Sequence, residues 1–298
     1  MITKINTAVI PAGGLGTRFL PSTKSIPKEM FPLCGKPVIL HVVEELVASG
    51  ITNIIFVVSH NKQSIESFFS PNPEVEDYYK KIGKDKEVRQ LKTIAKLANF
   101  SYVYTQSPNG NGSALASARH LLENKSFVLI WSDELIISKK SPRVKQCLDA
   151  YYKYGKPVIS TIKIEDPKMR SRYGMAELKD LKGEKEIKEI IKIIEKPGFG
   201  KEPSPYASHG AYILTKDVFK ALDKTKPDHN GDLWLSDVIN NMKKETGLIA
   251  KIITNGHYLD CGDPLSYLYS QIDYFLNYSN YSKKELEKLR GGICYIKK

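Results

Sequence analysis

The chain has 298 residues, 41% of them hydrophobic, with 45 Lys and Arg against 33 Asp and Glu for a net charge of +12. That length buries a full core without disulfide or metal staples, and an aromatic content of 10% argues against a disordered chain. No apolar run approaches the roughly 18 residues of a membrane span. Met1 to Lys4 lead straight into an apolar segment with no secretory h-region, so a cytoplasmic location is expected.

Cys34, Cys147, Cys261 and Cys294 lie far apart and make no C-x-x-C pair, which removes zinc and thioredoxin-type readings and leaves reduced thiols. Only seven of the 45 basic residues are Arg, and the lysines are scattered, often beside acids as in Lys182-Gly183-Glu184-Lys185-Glu186. A nucleic-acid binder clusters its basic residues and uses Arg forks. A lysine-rich solvated surface is therefore expected, with no nucleic-acid polymer and no membrane as partner.

In chain order, Thr7 to Ile10 reads as a buried strand ahead of Pro11 and a glycine cluster. Pro37 to Ala48 has helical apolar spacing, with Gly50 as its stop. Strands are expected at 54–58, 101–104 and 127–130, and helices at 62–69 and 113–122. This alternation predicts a parallel sheet covered on both faces. Beyond Asp133, strands are expected at 158–162, 190–194 and 211–214, helices at 235–244, 265–275 and 283–289, and loops at 164–172 and 198–206. With no repeat and no low-complexity tract, the expectation is a single α/β domain: a Rossmann-like, mostly parallel mixed sheet flanked by helices, with a smaller elaboration in the second half.

The sharpest motif is Ala12-Gly13-Gly14-Leu15-Gly16-Thr17-Arg18, directly after the first strand. Glycines there let the backbone turn tightly and bring N–H groups close to an anion. It is not a Walker A loop, since no Gly-Lys-Ser/Thr follows. Nor is it a dinucleotide fingerprint, since Phe19 stands where the third glycine belongs. The loop runs into Pro21-Ser22-Thr23-Lys24-Ser25-Ile26-Pro27-Lys28-Glu29-Met30. With that continuation the sequence resembles the nucleotidyltransferases that make nucleoside diphosphate sugars, in particular the bacterial UTP–glucose-1-phosphate uridylyltransferases. Residues 8–33 match the family's opening signature nearly throughout, and later elements follow in family order, so the resemblance spans roughly residues 5–275.

The resemblance implies that the loop, through Ala12, Gly13, Gly14, Gly16 and Thr17, holds the nucleotide phosphates, with Arg18 on the triphosphate and Lys28 at the α-phosphate. A transferred phosphoryl group needs charge neutralisation and alignment more than covalent help. Asp133, at the end of an apolar strand, and Asp260 match the family's two Mg²⁺-binding carboxylates; Glu134 and Asp263 are nearby acids, alternatives for that role or assistants to it. Glu195 and Lys196 match the pair that holds sugar hydroxyls and sugar phosphate. Tyr173, Gly174 and Gly210 match further sugar-side elements, and Gln106, Gly110 and Gly112 fall in the base-recognition region. The six histidines show no ligand spacing. Departures from the family pattern are Asn111 for Leu, Ser113 for His, Trp131-Ser132 before Asp133, and Trp234 for Gln.

The implied reaction joins UTP and glucose 1-phosphate into UDP-glucose and pyrophosphate, with Mg²⁺, in a homodimer or homotetramer. Residues 1–135 form the nucleotide-binding half, 136–262 the sugar-phosphate half and 263–298 a C-terminal helical segment. Two alternatives stand beside it: the same chemistry with dTTP, CTP or another sugar 1-phosphate, and a catalytically silent nucleotide-sugar-binding regulatory protein.

Overall fold

A computed structural model describes residues 3–105, 110–122, 124–138 and 140–279, together with 284, 285, 287 and 288. Its elements are β1 (Thr7–Pro11), the short pair β2 (Pro32–Leu33) and β3 (Lys36–Pro37), α1 (Val38–Ala48), β4 (Asn53–Val58), α2 (Gln63–Phe69), α3 (Pro73–Lys81), α4 (Asp85–Ala95) and β5 (Asn99–Tyr104). There follow α5 (Asn111–Leu122), β6 (Phe127–Ile130), β7 (Glu134–Ser138), α6 (Arg143–Tyr154), β8 (Val158–Lys163) and the single turn α7 (Pro167–Arg170). Last come β9 (Met175–Asp180), β10 (Ile187–Ile194), β11 (Tyr206–Leu214), α8 (Asp217–Lys224), α9 (Leu235–Thr246), β12 (Ile249–Ile252), β13 (Gly256–Asp260) and α10 (Pro264–Tyr278).

Side chains alternate between the two faces of a strand, and here both faces are buried. Ala8 and Ile10 of β1, Ile54 and Phe56 of β4, and Val128 and Ile130 of β6 join one cluster, packed with α1 and α6. Val9, Ile55, Val57, Phe127 and Leu129 join the other, packed with α5, α8 and α9. The expected two-sided covering is thus present.

Among the described residues the main sheet has nine strands, in the order β5-β4-β1-β6-β11-β8-β12-β10-β9. β5, β4, β1 and β6 are mutually parallel. β11 then runs antiparallel to both β6 and β8, and beyond it only β12 and β8 pair in parallel. Parallel character therefore belongs to the first half, and the second half is mixed. A separate ribbon pairs β13 with β7, placing Asp260 opposite Glu134.

Several boundaries differ from the sequence expectation. The 164–172 loop contains α7, whose first turn is capped by Asp166 accepting from the Lys168 N–H at 2.9 Å. β11 begins at Tyr206, inside the expected 198–206 loop. Pro37 sits just before α1 and pairs with Pro32. Gly50 follows the helix with φ +88°, as its stop requires. Of the expected helix 283–289, only 284, 285, 287 and 288 are described, and these are helical. No helix among the described residues is long and apolar enough to cross a membrane.

Candidate active site

The C-terminal ends of parallel strands form the usual ligand edge of such a sheet. Here the glycine loop leaves β1 at that edge, beside the segment that leaves β6 for Asp133. The Ala12 N–H donates to Val57 O at 2.8 Å, which ties the loop to the end of β4. Gly16 has φ +66°, and a Cβ there would meet the Thr23 methyl at 2.9 Å, so the turn requires glycine. Gly13 is packed against Thr105, Gly14 faces open space, and Thr17 begins a 3₁₀ turn that ends at Phe19.

A cleft of about 620 Å³ opens beyond this loop, and Arg18, Lys28, Asp133, Tyr173, Gly174, Glu195, Lys196 and Asp260 all line it. Residues up to 242 positions apart in sequence, from Arg18 to Asp260, are thus brought to one place. Lys28 reaches Asp133 Oδ2 at 2.5 Å, with about a fifth of each side chain exposed. Burial works against the Lys28 charge, but Asp133 and Glu29 outweigh it and hold its pKa above the ordinary lysine range. The turn carrying Lys28 is anchored from behind, where buried Glu29 pairs with buried Lys62 at 2.7 Å.

Asp133 and Asp260 converge on Gly262. A Cβ at that glycine would lie 3.1 Å from Asp260 Oδ1 and 3.3 Å from Asp133 Oδ2. The Gly262 N–H donates to Asp260 Oδ1 at 2.8 Å and the Cys261 N–H to Asp133 O at 2.9 Å, so backbone bonds lock the two together. Burial raises the Asp260 pKa, and Glu134 and Asp133 add to the rise against the Gly262 N–H and Arg172. A divalent cation fits this place: two hard oxygen donors bracket one point, and their mutual repulsion is relieved by positive charge. Among the described residues no cluster of three or more His, Cys, Asp or Glu stands ready to hold a metal. The remaining ligands would have to come from phosphate oxygens or water.

On the far wall, burial raises the Glu195 pKa against the pull of Lys196. Its Oε2 would lie 3.1 Å from a Cβ at Gly174, which explains the glycine there. Lys196 takes φ +42°, and its N–H donates to Tyr173 O at 3.2 Å. The Tyr173 hydroxyl in turn donates to Asp260 Oδ2 at 3.3 Å. Gly210 lies behind the wall rather than on it. At φ +52°, a Cβ there would meet Glu134 Oε2 at 2.8 Å and Arg143 Nη1 at 3.1 Å. Gly110 and Gly112 are pressed against the Leu233 backbone, with Cβ positions 2.4 and 2.8 Å from its carbonyl oxygen. Gln106 lies outside the described residues.

Three groups were not anticipated from the sequence. Arg172 pairs with Asp263 and sits 3.6 Å from Asp260 Oδ2, on the wall that carries the two carboxylates. His209, fully buried, approaches Glu134 Oε2 with Nδ1 at 3.1 Å. Asn111 accepts the Leu235 N–H at 2.7 Å, satisfying the start of α9 from another part of the chain. Arg172 directly precedes the Tyr173-Gly174 motif, so adjacency was the one available signal. His209 had none and Asn111 only its departure from the family pattern, because their partners are distant in sequence. Asp263 is the N-cap of α10, accepting from the Leu265 and Ser266 N–H groups at 3.1 Å.

Comparison with known proteins bears on this arrangement. The family model described as nucleotidyl transferase matches residues 7–275. A UTP–glucose-1-phosphate uridylyltransferase of Staphylococcus saprophyticus is 34% identical over 97% of this chain and 99% of its own length. A crystal structure of a UDP-glucose pyrophosphorylase complexed with UDP-glucose superposes with a TM-score of 0.81 at 34% identity, covering 91% of this chain and 99% of that one. A UTP-bound enzyme of the same kind from Acinetobacter baumannii gives 0.84 at 28% identity, over 98% and 99% of the two chains. This chain belongs to the nucleotidyl transferase family.

Proposed function

We propose that this protein is a UTP–glucose-1-phosphate uridylyltransferase. A phosphate oxygen of glucose 1-phosphate attacks the α-phosphorus of UTP in line. The new P–O bond forms as the bond to the α,β-bridging oxygen breaks, giving UDP-glucose and pyrophosphate. The nucleophile is already an anion, so no general base and no covalent enzyme intermediate are needed. The observation that carries the reading is the convergence of Lys28, Asp133 and Asp260 in one cleft with Glu195 and Lys196.

In this reading the glycine loop and Arg18 receive the triphosphate, and Lys28 places its charge at the α-phosphate. Glu195 accepts from sugar hydroxyls while Lys196 holds the sugar phosphate. Enzymes of the nucleotidyl transferase family generally use a divalent metal. Here Asp133 and Asp260 would hold Mg²⁺, which when bound neutralises and aligns phosphate oxygens. Arg172, Tyr173 and the Gly262 N–H keep Asp260 in place.

The chain is further proposed to act as one domain, with 1–135 serving the nucleotide, 136–262 the sugar phosphate and 263–298 completing the C-terminal side. A homodimer or homotetramer is supported by Leu265, Leu268 and Tyr269 of α10, which are more than half exposed. A cytoplasmic location is supported by the free thiols of Cys34, Cys147 and Cys261.

Phosphorus NMR of the protein with UTP, glucose 1-phosphate and Mg²⁺ tests the reaction. UDP-glucose and pyrophosphate should accumulate in equal amounts over many turnovers. Tight UDP-glucose binding without turnover would instead mark a silent nucleotide-sugar-binding protein.

A further inference from the structure

Lys196 is held less directly than its assigned task suggests. Its nearest carboxylate oxygen, on Glu195, is 4.0 Å away, and almost half of its side chain is exposed. A flexible ammonium in that setting has many conformers and a strong pull toward Glu195, which would occupy both sugar-side groups with each other. What stands opposite is Trp234, whose ring faces the Lys196 Nζ at 5.2 Å from the centroid. An aromatic face attracts a cation without offering it a counter-charge, so the ammonium stays available to a phosphate.

Trp234 is itself fixed at three points. Its Nε1–H donates to Asp228 Oδ2 at 2.9 Å. The other oxygen of Asp228 accepts from the Asn230 and Asp232 N–H groups at 2.8 and 2.9 Å, closing the turn that leads to Trp234. From the opposite side, Asn111 accepts the Leu235 N–H, and the Gly112 N–H donates to Leu233 O at 2.8 Å. Two of the departures from the family pattern, Asn111 and Trp234, therefore meet at one strap, from 228 to 235, that ties the start of α5 at Asn111 and Gly112 to the wall that carries Lys196.

We infer that Trp234 is a positioning residue for the sugar phosphate: it holds the Lys196 ammonium off Glu195 and toward the cleft, with Asp228 fixing the indole. This inference rests on the uridylyltransferase reading. It predicts a split between the substrates that a purely structural role would not give.

Steady-state kinetics with each substrate varied in turn provide the test. Trp234→Leu should raise KM for glucose 1-phosphate by about five- to tenfold while KM for UTP moves by less than about twofold. Trp234→Phe, which keeps a ring face, should recover most of the loss, and Asp228→Asn should fall between Trp234→Leu and the unsubstituted chain. Equal rises in both KM values, no rise at all, or no recovery with Phe would overturn the assignment. If Trp234→Leu fails to fold, Asp228→Asn decides alone: a rise confined to glucose 1-phosphate supports the inference, and an equal rise for both substrates or none overturns it. An unsubstituted chain that releases no pyrophosphate would remove the reaction and this inference together. Normal turnover without the split would remove only the Trp234 role.

Discussion

Asp133 and Asp260 differ in what holds them, and that difference sets what their removal should do. Asp133 pairs with Lys28, whereas Asp260 is fixed by the Gly262 N–H and the Tyr173 hydroxyl. Asp133→Asn and Asp260→Asn preserve shape and remove one charge each. Each should lower kcat by about a hundredfold or more at saturating Mg²⁺, with circular dichroism unchanged. Near-normal pyrophosphate release from both variants would sink the metal assignment. These two acids were legible through the family resemblance, Asp133 following the apolar run Phe127 to Trp131 and Asp260 standing in Leu259-Asp260-Cys261-Gly262-Asp263. The contacts of Arg172, Asn111 and His209 were not, since nothing local marks a partner that lies 75 to 124 positions away, from His209–Glu134 at 75 to Asn111–Leu235 at 124.

At the scale of elements, the turn bearing Lys28 depends on the pair between Glu29 and Lys62, whose side chains are 1% and 2% exposed. Burial raises the Glu29 pKa despite Lys62. Removing one partner leaves the other charge buried and unpaired, so Lys62→Met should destabilise the protein by about 3 kcal/mol, read by denaturant unfolding. Replacing both residues with apolar ones of similar volume should recover much of that loss, and activity would then report how far the turn sets Lys28.

The helix α10 offers a pH-dependent counterpart. Burial works against the Asp263 carboxylate, but the Ser266 N–H and hydroxyl and Arg172 outweigh it and hold its pKa below its ordinary value. A depressed carboxylate pKa contributes stability that is present above the unfolded value and lost as pH falls through the folded one. Asp263→Ala should therefore cost about 1 kcal/mol at neutral pH, with the difference from the unsubstituted chain shrinking below about pH 4. A gap that stays constant to pH 2 would contradict the capping role. The strands β1, β4, β6, β8, β10 and β11 and the helices α1, α5 and α9 were readable because each carries buried apolar residues at its own period, whereas β7, β9, β12 and β13 were not expected from the sequence. α3 and α4 do carry apolar residues at helical spacing, Val75, Tyr78 and Tyr79 in one and Val88, Leu91 and Ile94 in the other, so the signal was present in the sequence although α3 buries no residue and α4 only Val88. In α6 the stripe exists, but it begins with Arg143, a fully buried charge paired with Glu45, which breaks the apolar pattern.

For the whole molecule, net charge was a poor guide to function, because the cleft uses only a few of the 45 basic residues, notably Arg18, Lys28 and Lys196. The two proposed halves share one sheet through the β6–β11 pairing, where Ala211 to Leu214 run against Phe127 to Ile130. The chain should accordingly unfold in one transition, with near- and far-ultraviolet circular dichroism coincident; separated transitions would argue for autonomous halves. The resemblance covered nearly the whole chain and fixed the reaction class, but base choice rests on a region that includes Gln106 and the substituted Asn111 and Ser113. The most direct test is therefore kcat/KM for pyrophosphate release with UTP, dTTP and CTP, each at saturating glucose 1-phosphate and Mg²⁺. UTP should be preferred by about tenfold or more over both others, and equal or better use of dTTP or CTP would contradict the uridylyltransferase assignment.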